Sequence, residues 1–200
     1  MAEQQGEVNG GAACCCCFLA ALAVIAGLVC LFVFVGKSKD GTYSVTVTGV
    51  SGLDPAADLS SAARPALSPV FNLTVHIDNA RDYFSKACVT KFATAAVSYG
   101  DAFLAKGSVP QFCAAEREVQ ESGVVRAWGD GVALPRFLRD QMAGELAVGE
   151  AAVDVKVTMP DDCYHHCSDT VLICSKVRIG GGPAPCRKEI AYHHNHDHEN

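Results

Sequence analysis

The chain has 200 residues, 16 Lys and Arg against 22 Asp and Glu for a formal charge of −6, and a composition that is 50% hydrophobic and only 19% charged. That length suits one domain plus an accessory segment rather than a two-domain enzyme, and the low polarity excludes a chain disordered throughout. No long basic run offers a cationic footprint to a phosphate backbone, so nucleic acid is excluded as a partner.

Residues 1–13 form a short N-terminal segment whose only charges are Glu3 and Glu7. From Cys14 to Val35 the 22 residues contain no charge, Pro, Asn or Gln, and at 1.5 Å rise a helix of that length covers about 33 Å, enough to cross a bilayer. A cleaved signal peptide would have a shorter apolar core behind a positive segment. The sequence therefore predicts a single transmembrane helix over 14–35, with Ala23 and Gly27 spaced to let two such helices approach in a homo-oligomer. Lys37 and Lys39 follow the span, and the positive-inside rule would put the remainder in the cytoplasm. Other features point the opposite way. Cys14, Cys15, Cys16 and Cys17 lie at one membrane face as candidates for cytosolic S-palmitoylation, and Asn72-Leu73-Thr74 is an N-glycosylation sequon. Cys88, Cys113, Cys163, Cys167, Cys174 and Cys186 are an even set suited to an oxidising compartment. The expectation is a cytosolic N-terminus and an external domain.

Residues 36–180 read as one β-rich domain. Tyr43, Val45 and Val47 alternate with Ser44, Thr46 and Thr48, the period of a half-buried strand. Residues 51–68 break every pattern with Gly, Pro, Asp and Ser and are expected to be a long surface loop with little to bury. Phe71, Leu73, Val75 and Ile77 then face one way and Asn72, Thr74, His76 and Asp78 the other. Residues 87–99 are rich in β-branched and aromatic side chains and predict a third strand, turning at Gly100-Asp101 into Phe103-Leu104. Residues 123–128 add a short strand. Leu134, Phe137, Leu138, Met142 and Leu146 recur at helical spacing behind Pro135, predicting one short helix over 135–147. Val153, Val155, Val157 and Met159 alternate again, and residues 170–179 form a last strand after a connection at 160–169. Residues 181–200 read as a flexible tail rich in Gly, Pro and His. Short antiparallel strands with one helix predict an all-β sandwich.

The membrane segment, the stretch Pro69 to Asn79 (PVFNLTVHIDN), the stretch Val97 to Cys113 (VSYGDAFLAKGSVPQFC) and the Val-alternating strand after them resemble the group-two late-embryogenesis-abundant proteins of plants, in the branch of harpin-induced-like and non-race-specific-disease-resistance-like membrane proteins. The turn after the second strand departs from the family's Asn-Pro-Asn, reading Asp78-Asn79-Ala80-Arg81. The resemblance implies a fibronectin-type-III-like antiparallel β-sandwich, a plasma-membrane or endoplasmic-reticulum and other endomembrane location, and a role in defence or water stress. It implies no catalytic residues.

No enzyme motif emerges from the residues themselves. Gly49-Val50-Ser51-Gly52-Leu53 lacks the last glycine of a nucleophile elbow, and Gly180-Gly181-Gly182 runs into Pro183 rather than a helix that would hold phosphate. Cys163, His165, His166 and Cys167 offer four zinc ligands, but neighbouring positions diverge and structural zinc sites draw on two separated pairs, so a disulfide-bearing loop is the preferred reading. His193, His194, His196 and His198 suit loose chelation of copper or nickel, although a solvated, disordered terminus is the preferred reading. His76 is expected to be simply exposed. No cofactor is expected. At least two disulfides are predicted among the six cysteines, with Cys163 or Cys167 joined to Cys174 or Cys186, and Cys88 paired with Cys113. The function expected is a membrane-anchored, non-enzymatic module binding a protein partner, with the loop 51–68 and the connection 160–169 as contact surfaces. The alternatives are a stress protectant and a small metal-binding protein.

Overall fold

A computed structural model of the chain describes residues 21–30, 41–60, 66–161 and 168–192. The chain divides into two compact units, Met1–Lys39 and Asp40–Asn200. In the first, residues 21–30 are helical (α1) and exposed at every position. They lie inside the expected span 14–35, the rest of which is outside the described residues, as are Cys14 to Cys17. Among the described residues no helix is long and apolar enough to cross a membrane.

The second unit is mostly antiparallel β-structure. Its elements in order are β1 (Thr42–Ser51), β2 (Ala66–Leu67), β3 (Val70–Asp78), β4 (Ala87–Val89), β5 (Thr94–Tyr99), β6 (Ala102–Ser108), β7 (Phe112–Ala114), β8 (Val119–Glu121), β9 (Val125–Trp128), β10 (Val132–Ala133), the helix α2 (Arg136–Ala147), β11 (Ala152–Met159), β12 (Ser168–Arg178), β13 (Ala184–Pro185) and β14 (Arg187–Tyr192). One ten-stranded sheet runs β13-β1-β3-β9-β6-β5-β11-β12-β14, with β8 also paired to β3, while β2 pairs with β10 and β4 with β7. Two separated sheets were expected. The structure instead links the strands in one hydrogen-bonded path that nearly closes, with Ile179, just past β12, bridging back to Val47 of β1.

The core follows from the period-two pattern. Phe71, Leu73, Val75 and Ile77 are fully buried, as are Val45 and Val47, and Val97, Val155, Val157 and Leu172 join them. Each such side chain contributes about 1.5–3 kcal/mol when removed from water. The hairpin at Gly100-Asp101 forms as expected, with Tyr99 opposite Ala102 across two turn residues and Gly100 at φ 56°, a left-handed conformation that glycine adopts without a Cβ clash. α2 buries Leu138 and Leu146 only in part. Met142 is fully buried and Leu134 nearly so, whereas Phe137 points outward, 69% exposed.

Three expectations are corrected. Residues 51–68 are not merely surface loop, because Leu53, Leu59 and Leu67 enter the core. The run 87–99 is two strands rather than one, β4 pairing β7 and β5 joining the large sheet. The tail from 181 onward is not all flexible, since β13 pairs with β1 and β14 pairs along β12 from Arg187 opposite Ile173 to Tyr192 opposite Ser168. A sheet-edge strand is held by its main-chain hydrogen bonds and needs no apolar side chains, so the exposed sequence of β14 gave hydropathy nothing to detect.

Candidate functional site

Antiparallel alternation assigns every loop of the domain to one of two ends. The N-termini of β1, β5 and β12 and the C-termini of β3, β6, β11 and β14 share one end, which is where the chain enters at Gly41; we call it proximal. The other end is distal, separated from it by the ten residues of β1, about 30 Å. The two loops expected to make contacts fall on opposite ends. Residues 52–60 and 66–68 are distal, and the chain leaves β11 after Met159 at the proximal end.

The described distal segment 52–60 is built rather than loose. The Asp54 carboxylate accepts from the main-chain N–H groups of Ala56 and Ala57 at 2.9 and 2.8 Å, and its carbonyl accepts from Asp58 and Leu59 at 2.8 and 3.0 Å. This closes one helix-like turn capped by its own first residue. Leu53 and Leu59 on either side of that turn are driven into the core, so the short segment is pinned at both ends. Beside it, the β2–β10 ladder and the N–H of Gly129, donating to the Pro69 carbonyl at 2.9 Å, fix the turn that follows β9. A Cβ on Gly129 would stand 1.9 Å from the Leu104 carbonyl oxygen, so this close approach of β9 to β6 requires glycine. The result presents Asp54, Asp130 and the indole of Trp128, 61% exposed, from a stable support. Exposed aromatic anchors on fixed loops are the features from which protein recognition is commonly made.

The polar face of β3 carries two sequence-identified residues. Asn72 sits mid-strand between β1 and β9, half-buried, opposite Gly49, whose missing side chain leaves space beside the amide. His76 is not simply exposed. Thr46 Oγ1 lies 2.8 Å from its Nε2, and the Glu121 carboxylate lies 3.4 Å from its Nδ1. The three residues come from β1, β3 and β8, a convergence that period-two reading of one strand cannot reveal.

The cysteines follow the expectation in part. Cys88 and Cys113 are bonded and stand opposite each other in the β4–β7 ladder. Cys174 pairs with Cys186, which corrects the expected join of either one to Cys163 or Cys167. The reason is topological: Cys186 directly precedes the strand that pairs with β12, and its N–H is fixed to the Tyr43 carbonyl at 2.8 Å. Cys163, His165, His166 and Cys167 lie outside the described residues, as do His193, His194, His196 and His198. Among the described residues no group of three or more His, Cys, Asp or Glu side chains is placed to hold a metal ion.

A further distal cleft of ≈410 Å³ is lined by residues including Tyr99, Leu138, Gln141, Glu145, Asp154 and Lys176. Burial first, and the adjacent Glu145 carboxylate second, push the Tyr99 phenol up to about 12. Its hydroxyl oxygen is buried without a hydrogen bond of normal geometry. The phenol is thus held neutral, as structural tyrosines commonly are.

Comparison with known protein families, with characterised proteins and with solved structures returns no match.

Proposed function

We propose that this protein is a single-pass, membrane-anchored, non-enzymatic binding module that presents its distal end to a protein partner during plant defence or abiotic stress. The anchor is the apolar span 14–35, and the domain lies outside the cytosol. The fibronectin-type-III-like fold, the plasma-membrane location and the physiological setting come from the resemblance to the group-two late-embryogenesis-abundant proteins. The observation that carries the partner reading is the placement of a capped, leucine-pinned loop and an exposed Trp128 at the end of β1 remote from Gly41. A tether at one end and a rigid recognition surface at the other is the arrangement that exploits confinement to two dimensions, which raises effective concentration toward anything on the same membrane. A bulk protectant gains little from it.

α1 supports the anchor. Ten consecutive apolar residues with side chains such as Val24 and Ile25 more than half exposed are unfavourable in water, at roughly 25 cal/mol per Å² of apolar surface. The test compares stress or pathogen responses of plant cells lacking the protein after return of the full chain, a chain without residues 1–35 matched for amount and compartment, and the full chain carrying Trp128→Ser. The full chain is expected to restore the response and the other two to fail. Full rescue by the untethered chain would overturn the module in favour of a protectant.

A further inference from the structure

The proximal end holds two aromatic side chains in water at a structural cost. Tyr83 is 59% and Phe84 63% exposed, yet the loop that carries them is fixed by two buried polar residues. Asn79, 1% exposed, donates from Nδ2 to the carbonyls of Ser85 at 2.8 Å and Ala115 at 3.0 Å. Asp82, 3% exposed, accepts at Oδ1 from the N–H groups of Phe84 at 2.9 Å and Ser85 at 3.1 Å. Main-chain bonds from Asn79 N–H to the Glu118 carbonyl and from Arg117 N–H to the Asp82 carbonyl lock this loop to the one after β7. There Arg117, at φ 61°, places its guanidinium 5.2 Å from the centre of the Tyr83 ring. A loop that left its aromatics free to fold back would bury them. This one is stiffened with both facing outward.

The position of the pair identifies what it meets. Thr42 stands opposite Asp78, and a Cβ on Gly41 would lie 2.6 Å from the Ala87 Cβ and 3.0 Å from Asn79 Oδ1, so the aromatic loop packs directly against the point where the chain enters. Only residues 36–40 separate Gly41 from the apolar stretch ending at Val35, a length that reaches at most about 20 Å. Phe92 and Tyr192, 85% and 80% exposed, belong to the same end. Around the pair, Arg81, Lys86 and Arg117 are balanced by Asp78, Glu116 and Glu118, all exposed. That balance does not favour an anionic surface, whereas an amphipathic tyrosine ring with a flanking arginine suits the headgroup layer of a neutral bilayer and an apolar phenylalanine ring beside it reaches toward the upper acyl chains.

We propose that Tyr83 and Phe84 insert into the lipid headgroup layer of the membrane that anchors the chain, fixing the domain upright with its distal end outward. This rests on the anchored reading above. The test uses full-length chain in phosphatidylcholine vesicles with and without bromine on the upper acyl chain. Trp128, the sole natural tryptophan, reports the distal end, and Phe84→Trp in a Trp128→Phe background reports the loop, with Tyr83→Trp as a second reporter should the first fail to fold. The introduced indole is expected to shift to the blue and lose most of its emission to the brominated lipid, unchanged by salt, while Trp128 in the unsubstituted chain keeps its emission. Flotation of the same vesicles after an alkaline wash separates the two failures. A chain that does not float removes the anchored reading and this proposal with it. A chain that floats but whose loop reporter is quenched no more than Trp128 overturns the lipid contact alone and assigns the aromatic pair to a protein.

Discussion

The two ends of the domain hold their loops in place by different physics. At the proximal end the Cys88–Cys113 bond ties β4 to β7, and the buried side chains of Asn79 and Asp82 satisfy the main chain of the loop beside them. At the distal end no described disulfide is present in the loop, and the work is done by Leu53, Leu59 and Leu67 reaching into the core beneath a single capped turn. Covalent and polar fixation gives a loop that displays aromatic rings without burying them. Apolar plugging gives one whose small and acidic residues stay in water because its leucines do not.

The comparison breaks first at the cystines. Replacing both Cys88 and Cys113 by Ser removes a closure across 25 residues, and the expected loss is about 3 kcal/mol in denaturant unfolding. Hydrogen exchange should rise in residues 79–89 and 112–118 and stay unchanged in residues 52–59. Next in size is Asp82→Ala, which leaves the Phe84 and Ser85 N–H groups without their acceptor. The expected cost is about 2 kcal/mol, confined to the proximal loops in the same exchange measurement. Asp54→Ala is the distal counterpart and smaller, about 1 kcal/mol for a lost cap, with enhanced proteolysis within 54–59 and none near Tyr83.

The smallest effect is one of pH at the distal cleft. The folded-state phenol of Tyr99 titrates at about 12 against an ordinary value of 10.0, so the native chain retains a proton that the unfolded chain has released between those values. Stability is therefore undiminished below about pH 10 and falls as pH rises toward 12. Subtracting the unfolding free energy of Tyr99→Phe across that window isolates this slope, and an identical pH dependence in both proteins would remove the assignment.

Much of the frame was legible from alternation alone. β1, β3 and β11 bury the residues that period two selected, because each of those strands has one face on the core. β8 was invisible for the opposite reason: Val119, Gln120 and Glu121 are all exposed, and the segment is a strand only because β3 offers it a hydrogen-bonding edge. The split of 87–99 was hidden because Lys91 and Phe92 form a turn without Gly or Pro, with Phe92 itself adopting φ 61°. Of the candidate sites, the pairing of Cys88 with Cys113 could be placed from sequence since both flank adjacent strands. The contacts of His76 could not, because Thr46 and Glu121 lie 30 and 45 residues away along the chain.

β1 carries one more consequence, and it is mechanical. Its first residue follows Gly41 at the proximal end, its last leads into the distal loop, and between them it makes nine register pairs with β3 while β13 lies on its other side. Hydrogen bonds in an antiparallel ladder run perpendicular to the strands, so a pull between Gly41 and Trp128 at the distal end of β9 loads the β1–β3 ladder at once in shear. A force applied at Tyr192 across the strands would instead peel the edge strand β14 from β12 one bond at a time, and single-molecule extension should record a higher rupture force along the first axis than along the second. The strand that connects the two ends is thus also an element arranged to bear tension along the long axis of the domain.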